Sequence, residues 1–123
     1  MPGRRVVSVI DDDESIRLAI ESLVQSAGLR TATFASGDEF LRSRLLRDTA
    51  CLILDLQMPG MGGLELQDRL ARQGHRIPTI IFTALAADDA RVDISGIGAV
   101  ALFSKPADAD ALMRAVQAAL ATR

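Results

Sequence analysis

The sequence predicts a doubly wound α/β sandwich, five parallel strands alternating with five helices in three layers. Three observations predict it. Five short runs of aliphatic and β-branched residues, at 6–10, 31–34, 51–54, 79–82 and 99–103, are separated by stretches of helical period. The third and fourth runs are almost continuously apolar, as strands covered on both faces are. The chain's 123 residues, 49% of them hydrophobic, suit one domain with an ordinary core.

Each helix has its own signal. Behind the first run, Ile16, Ile20, Leu23, Val24 and Ala27 share one helical face, Asp13 suits the N-cap, and Gly28 stands where a helix-ending glycine is expected. Ser36 with Glu39 three residues later reads as a capping box, opening a short second helix through Phe40 and Leu41. A third helix should begin around Gly63 and turn Leu66 and Leu70 to the sheet. The fourth, 88–97, holds the weak helix formers Asp93, Ile94, Ser95 and Gly96, and the glycine alone costs about 1 kcal/mol relative to alanine. It is expected to be short and loosely held. The last repeats Leu112, Val116, Ala119 and Leu120 behind Asp108 or Asp110 as N-cap. Each strand–helix–strand unit is expected to cross over right-handed.

Composition narrows the function classes. Fourteen Lys+Arg against 16 Asp+Glu leave a net charge of −2, too balanced for a nucleic-acid groove or an anionic membrane surface. One cysteine makes no internal disulfide, and no Cys/His pairs have zinc spacing, so a reducing compartment fits. No secretory pattern opens the chain, and no apolar run approaches the roughly 18 residues of a membrane span. A soluble, cytoplasmic single domain is the expectation, without internal repeat or linker.

Open parallel sheets bind ligands beyond the carboxyl ends of their strands. After the first run come Asp11, Asp12, Asp13 and Glu14; after the third, Asp55-Leu56-Gln57-Met58-Pro59-Gly60. The fourth ends in Thr83, before the small residues Ala84, Ala86 and Ala87, and the fifth leads to Ser104-Lys105-Pro106. The second run adds nothing, which fits an edge strand. Parallel strands therefore gather Asp11, Asp12, Asp55, Thr83 and Lys105 on one rim. Three carboxylates so close need a cation, and hard oxygen ligands favour Mg²⁺ or Ca²⁺. Magnesium takes few protein ligands, leaving room for a phosphoryl group that Lys105 and Thr83 could meet. The constellation points to phosphoryl transfer. A nucleotide or flavin pocket would want a glycine- or hydroxyl-rich first loop, and Asp-Asp-Asp-Glu repels phosphate instead. A haloacid-dehalogenase-type phosphatase would want Asp-x-Asp, and Asp55-Leu56-Gln57 lacks the second acid.

Other residues have plainer roles. Cys51 should pack as a small apolar side chain, and His75 should be an exposed loop residue rather than a phosphate carrier. Met58 and Met61 should shape the loop beside the rim. Arg42, Arg44 and Arg47 read as a solvated face.

Val9-Ile10-Asp11-Asp12-Asp13-Glu14, Leu54-Asp55-Leu56-Gln57-Met58-Pro59-Gly60, Phe82-Thr83-Ala84 and Ser104-Lys105-Pro106, in this order, resemble the receiver domain of two-component response regulators. The resemblance covers approximately residues 5–121 and implies a flavodoxin-like (βα)5 fold with strand order 2-1-3-4-5. It implies that Asp55 is the phosphoacceptor, taking a phosphoryl group from a sensor histidine kinase or phosphotransfer protein. Asp12, Asp55 and the main-chain carbonyl of Gln57 would hold Mg²⁺, with Asp11 acting through water. Lys105 would neutralise phosphoryl charge and Thr83 would move to hydrogen-bond it. The implied chemistry is performed by the domain on itself, not on a turned-over substrate. Residues 1–123 would form a receiver without an output domain, closest in look to those joined to helix-turn-helix transcription factors of the FixJ-like kind. Transcription would then be regulated through an attached or separate effector, with homodimerisation on phosphorylation as an option and no direct contact with nucleic acid or membrane. The other class compatible with the residues is a receiver-fold interaction module that is not phosphorylated.

Departures from the family pattern carry expectations too. Leu102 stands where receivers usually have Tyr or Phe, and Phe103, one residue on, points to the opposite sheet face. Ala107 replaces a common bulky aromatic. The output face is therefore expected to reorganise as backbone rather than by one ring. In the family, phosphate lifetime depends partly on the positions of Gln57 and Leu85.

Overall fold

A computed structural model describes residues 6–56, 58, 60–83, 99–104 and 108–121; of residues 83, 99, 100, 102 and 104 it describes the backbone alone. In chain order they form β1 (Val6–Ile10), α1 (Glu14–Ser26), β2 (Thr31–Phe34), α2 (Gly37–Arg42), a 3-10 helix (Arg44–Asp48), β3 (Thr49–Leu54), α3 (Gly63–Arg72), β4 (Thr79–Thr83), β5 (Ala99–Ser104) and α4 (Ala109–Ala121). The helix expected at 88–97 lies outside the described residues. All neighbouring strands pair in parallel, in the order β2-β1-β3-β4-β5. The expected topology is present, with β2 at an edge.

Period-two alternation divides each strand between two cores. Ile10, Leu52, Leu54 and Ile81 face one layer, where Phe40 of α2 and Leu66 and Leu70 of α3 cover them. Phe34 meets Phe40 there edge-to-face, ring centres 5.3 Å apart. Val7, Val9, Cys51, Ile53, Ile80 and Phe82 face the other, under Ile20 and Val24 of α1 and Leu112, Val116 and Ala119 of α4. Phe103 packs on this second side. Every residue of β1 and β3 is buried, which explains the unbroken hydrophobicity of the third run.

The capping signals are realised with small differences. The Asp13 carboxylate accepts the amides of Ser15 and Ile16, capping α1. Ala27, expected on the packed face, is instead the exposed C-cap of α1, and Gly28 follows at φ +81°. The Ser36 hydroxyl accepts the Glu39 amide, while the Glu39 carboxylate reaches back to the Ala35 amide. At α4 the capping acid is Asp108, whose carboxylate accepts from the Asp110 amide.

Two features differ from the sequence reading. Residues 44–48 form a 3-10 turn, with Arg42, Arg44 and Arg47 exposed as expected and Leu46 buried. β3 starts at Thr49, two residues early, because its hydroxyl is a buried partner: it donates to the Leu45 carbonyl (2.8 Å) and lies 2.7 Å from the Ser8 hydroxyl.

Cys51 is fully buried in β3, and burial pushes its thiol from an ordinary 9.0 up to about 12. A thiol with a raised folded-state pKa favours the fold below about pH 9 and loses that contribution as pH climbs toward 12. At pH 8 the native protein should therefore not react with a thiol-specific chromogenic reagent, whereas the denaturant-unfolded chain reacts fully. Rapid modification of the native protein would contradict this packing.

Candidate functional site

The register levels the ends of the central strands. Ile10 pairs with Leu54 and Leu54 with Ile81, so Asp11 and Asp55 leave adjacent strands side by side. Backbone bonds hold both: the Asp11 amide donates to the Phe34 carbonyl (3.2 Å) and the Asp55 amide to the Ile10 carbonyl (3.1 Å). Carboxylate oxygens of Asp11, Asp12 and Asp55 all lie within 4.8 Å of one another. Asp11 and Asp55 are 2% and 4% exposed, while Asp12 faces solvent.

The electrostatics follow from that spacing. Two carboxylates 4.8 Å apart repel by about 3 kcal/mol at an effective dielectric near 20. A divalent cation removes the repulsion, and an all-oxygen donor set with two buried members and one exposed fits a hard ion that keeps part of its water. The residues present therefore fit Mg²⁺.

The turn between β1 and α1 is held at several points. The Asp11 carboxylate accepts the Asp13 amide (2.9 Å), and the Asp11 carbonyl accepts from the guanidinium of Arg17, one turn into α1 (2.7 Å). Beyond Asp55, Leu56, Met58 and Met61 bury themselves in the α2–α3 core, so this loop is anchored by its own side chains, as expected for the two methionines. The Gly63 amide then closes it on the Leu56 carbonyl (3.2 Å). A Cβ on Gly63 would stand 2.7 Å from the Asp55 carbonyl oxygen and 2.9 Å from the Leu56 Cα. Only glycine lets α3 begin so close to the acid-bearing strand end.

Thr83 ends β4, next to β3, in register with Ser104. Gln57 and Lys105 lie outside the described residues, as do Leu85 and Ala107. His75 is a half-exposed loop residue after α3 whose amide donates to the Leu70 carbonyl. Sequence reasoning did not single out Arg17, or Gly63 as more than a helix start. A long donor four residues after the N-cap acid was the available signal for the first, and a double glycine before a helix for the second.

A family model for the response regulator receiver domain matches residues 7–117. The chain belongs to the response regulator receiver family. Its relatives include longer response regulators. Response regulator protein TmoT of Ectopseudomonas mendocina is 37% identical over 115 residues, spanning 94% of this chain and 52% of TmoT. Transcriptional regulatory protein FixJ of Azorhizobium caulinodans is 34% identical over 120 residues, 98% of this chain and 57% of FixJ. The solved structure of response regulator StyR superposes with a TM-score of 0.88 at 36% identity, covering 96% of this chain and 60% of that one. The receiver thus spans about half the length of the curated relatives it matches. Receivers are signalling switches of two-component systems, not enzymes in the ordinary sense, and the names of these relatives include regulators of transcription. No helix among the described residues is long and apolar enough to cross a membrane.

Proposed function

We propose that this receiver accepts a phosphoryl group on Asp55 from a phosphohistidine of a sensor histidine kinase or phosphotransfer protein in the cytoplasm. The observation that carries the proposal is the convergence of Asp11, Asp12 and Asp55 at the carboxyl ends of β1 and β3, in a chain of this family. An Asp55 carboxylate oxygen attacks phosphorus, and the new P–O bond forms as the donor's P–N bond breaks. The departing electron pair and a proton from solvent go to the imidazole. Asp12, Asp55 and the main-chain carbonyl of Gln57 would hold Mg²⁺, with Asp11 acting through water. When bound, the ion supplies neutralisation of charge on the carboxylates and the transferring group. Lys105 is assigned to the phosphoryl charge and Thr83 to a hydrogen bond with a phosphoryl oxygen.

The remaining assignments complete this reading. Residues 1–123 act as one receiver domain. The adduct adds roughly −1.5 to −2 charge units at the rim, which biases the loops after β4 and β5 and so alters the face offered to an effector. Through that effector, attached or separate, the domain regulates transcription, with homodimerisation on phosphorylation as an option. The receiver itself touches neither DNA nor membrane.

Radiolabelled acetyl phosphate with Mg²⁺ tests this directly. The wild-type chain takes up label, Asp55→Asn takes up none, and chelation of the metal abolishes uptake. Absence of labelling in the folded wild-type chain would instead make it a receiver-fold interaction module.

A further inference from the structure

We infer that Arg17 is a positioning residue for the metal-binding acids, acting through the peptide that joins Asp11 to Asp12. The inference rests on the Mg²⁺ reading above and goes beyond it by assigning a residue outside the carboxylate set. The Arg17 guanidinium, partly buried on α1, donates to the Asp11 carbonyl at 2.7 Å. That carbonyl belongs to the Asp11–Asp12 peptide unit. Because the unit is planar, fixing its oxygen fixes the plane carrying both Cα atoms.

The surrounding bonds show why this contact matters. On the strand side, Asp11 is tied by its amide to Phe34 and by its carboxylate to the Asp13 amide. On the helix side, Asp13 caps α1 through the amides of Ser15 and Ile16. Asp12 lies between these two held residues, its side chain exposed. Burial cannot orient an exposed carboxylate, so its direction depends on the backbone beneath it. Arg17 supplies the side-chain bond to that backbone, and its own place is set by α1, where its amide donates to the Asp13 carbonyl. The loop that presents Asp12 is thus clasped from both ends by the helix it precedes. Outer-shell contacts of this kind orient ligands that they do not replace.

The Arg17 guanidinium on the Asp11 carbonyl is also a fixed positive charge, and charge alone would oppose Mg²⁺ binding. The two effects have opposite signs, so experiment separates them. Magnesium chloride alone is titrated while the melting temperature is followed, and the rise with concentration gives an apparent Kd. Positioning predicts that Arg17→Met, which keeps the apolar stem, weakens Mg²⁺ binding about tenfold. Arg17→Lys, a point charge that can still reach a carbonyl but lacks the planar fork, should weaken it only about threefold. Equal or tighter binding in Arg17→Met overturns the inference, as does a lower metal-free melting temperature with unchanged Mg²⁺ dependence, which marks a purely structural contact. If Arg17→Met does not fold, Arg17→Lys carries the test: threefold weakening supports positioning, and wild-type or tighter affinity overturns it. A wild-type chain with no Mg²⁺-dependent rise overturns the metal reading itself, whereas a normal wild-type rise with unaltered variants overturns only the role of Arg17.

Discussion

Asp12→Ala should melt higher than the wild-type chain in metal-free buffer and accept no phosphoryl group. Its carboxylate lies within 4.8 Å of those of Asp11 and Asp55, and removing it relieves repulsion. Asp12 is exposed, so solvent screens much of the interaction, leaving roughly 1 kcal/mol, or a rise of about 4 °C. The same substitution removes a proposed metal ligand, so labelling by acetyl phosphate should fall below detection and Mg²⁺ should no longer raise the melting temperature. Stability and function move in opposite directions because the site keeps like charges together that only a cation reconciles. Calorimetry with chelator checks the first half. An unchanged or lower melting temperature would mean that repulsion among these acids is not felt by the fold.

Gly63→Ala should have the larger cost to stability. The added methyl would meet the Asp55 carbonyl oxygen at 2.7 Å and the Leu56 Cα at 2.9 Å, both backbone atoms with no rotamer to yield. Overpacking of this kind costs about 1–3 kcal/mol, or a loss of roughly 5–12 °C. Because the displaced backbone carries Asp55, acceptance of phosphoryl should fall too. The neighbouring glycine provides the contrast. Gly62 is the N-cap of α3, its backbone is at φ −77°, and a Cβ there would meet only the Leu56 carbonyl oxygen at 3.4 Å. Gly62→Ser should therefore be neutral or stabilising by a few tenths of a kcal/mol, serine being a favoured cap. Denaturant titration of both variants checks the pair. Equal effects at the two positions would contradict the close approach of α3 to the strand end.

Much of this architecture is legible in the residues themselves. The strand runs and the helical faces of α1, α3 and α4 come from hydrophobic period, and Asp13 and Ser36 announce their helices because capping is a local interaction. Elements set by tertiary partners are not legible. Thr49 looks like a loop residue until the buried Ser8 hydroxyl is placed beside it, and residues 44–48 carry no helical period long enough to read. The rim follows from topology: once the strands are parallel, acids after β1 and β3 must converge. Less legible are the contacts that aim those acids, Arg17 on a carbonyl and Gly63 against a backbone, since the donor spacing and the double glycine that signal them are too common to make a recognisable motif.

The central claim concerns one oxygen of one side chain, and locating the transferred group tests it most directly. After reaction with acetyl phosphate and Mg²⁺, borohydride reduction converts an aspartyl phosphate to homoserine, which peptide sequencing by mass spectrometry places along the chain. The account predicts homoserine at position 55 alone. Modification at Asp11, Asp12 or another residue, with residue 55 still aspartate, would contradict it.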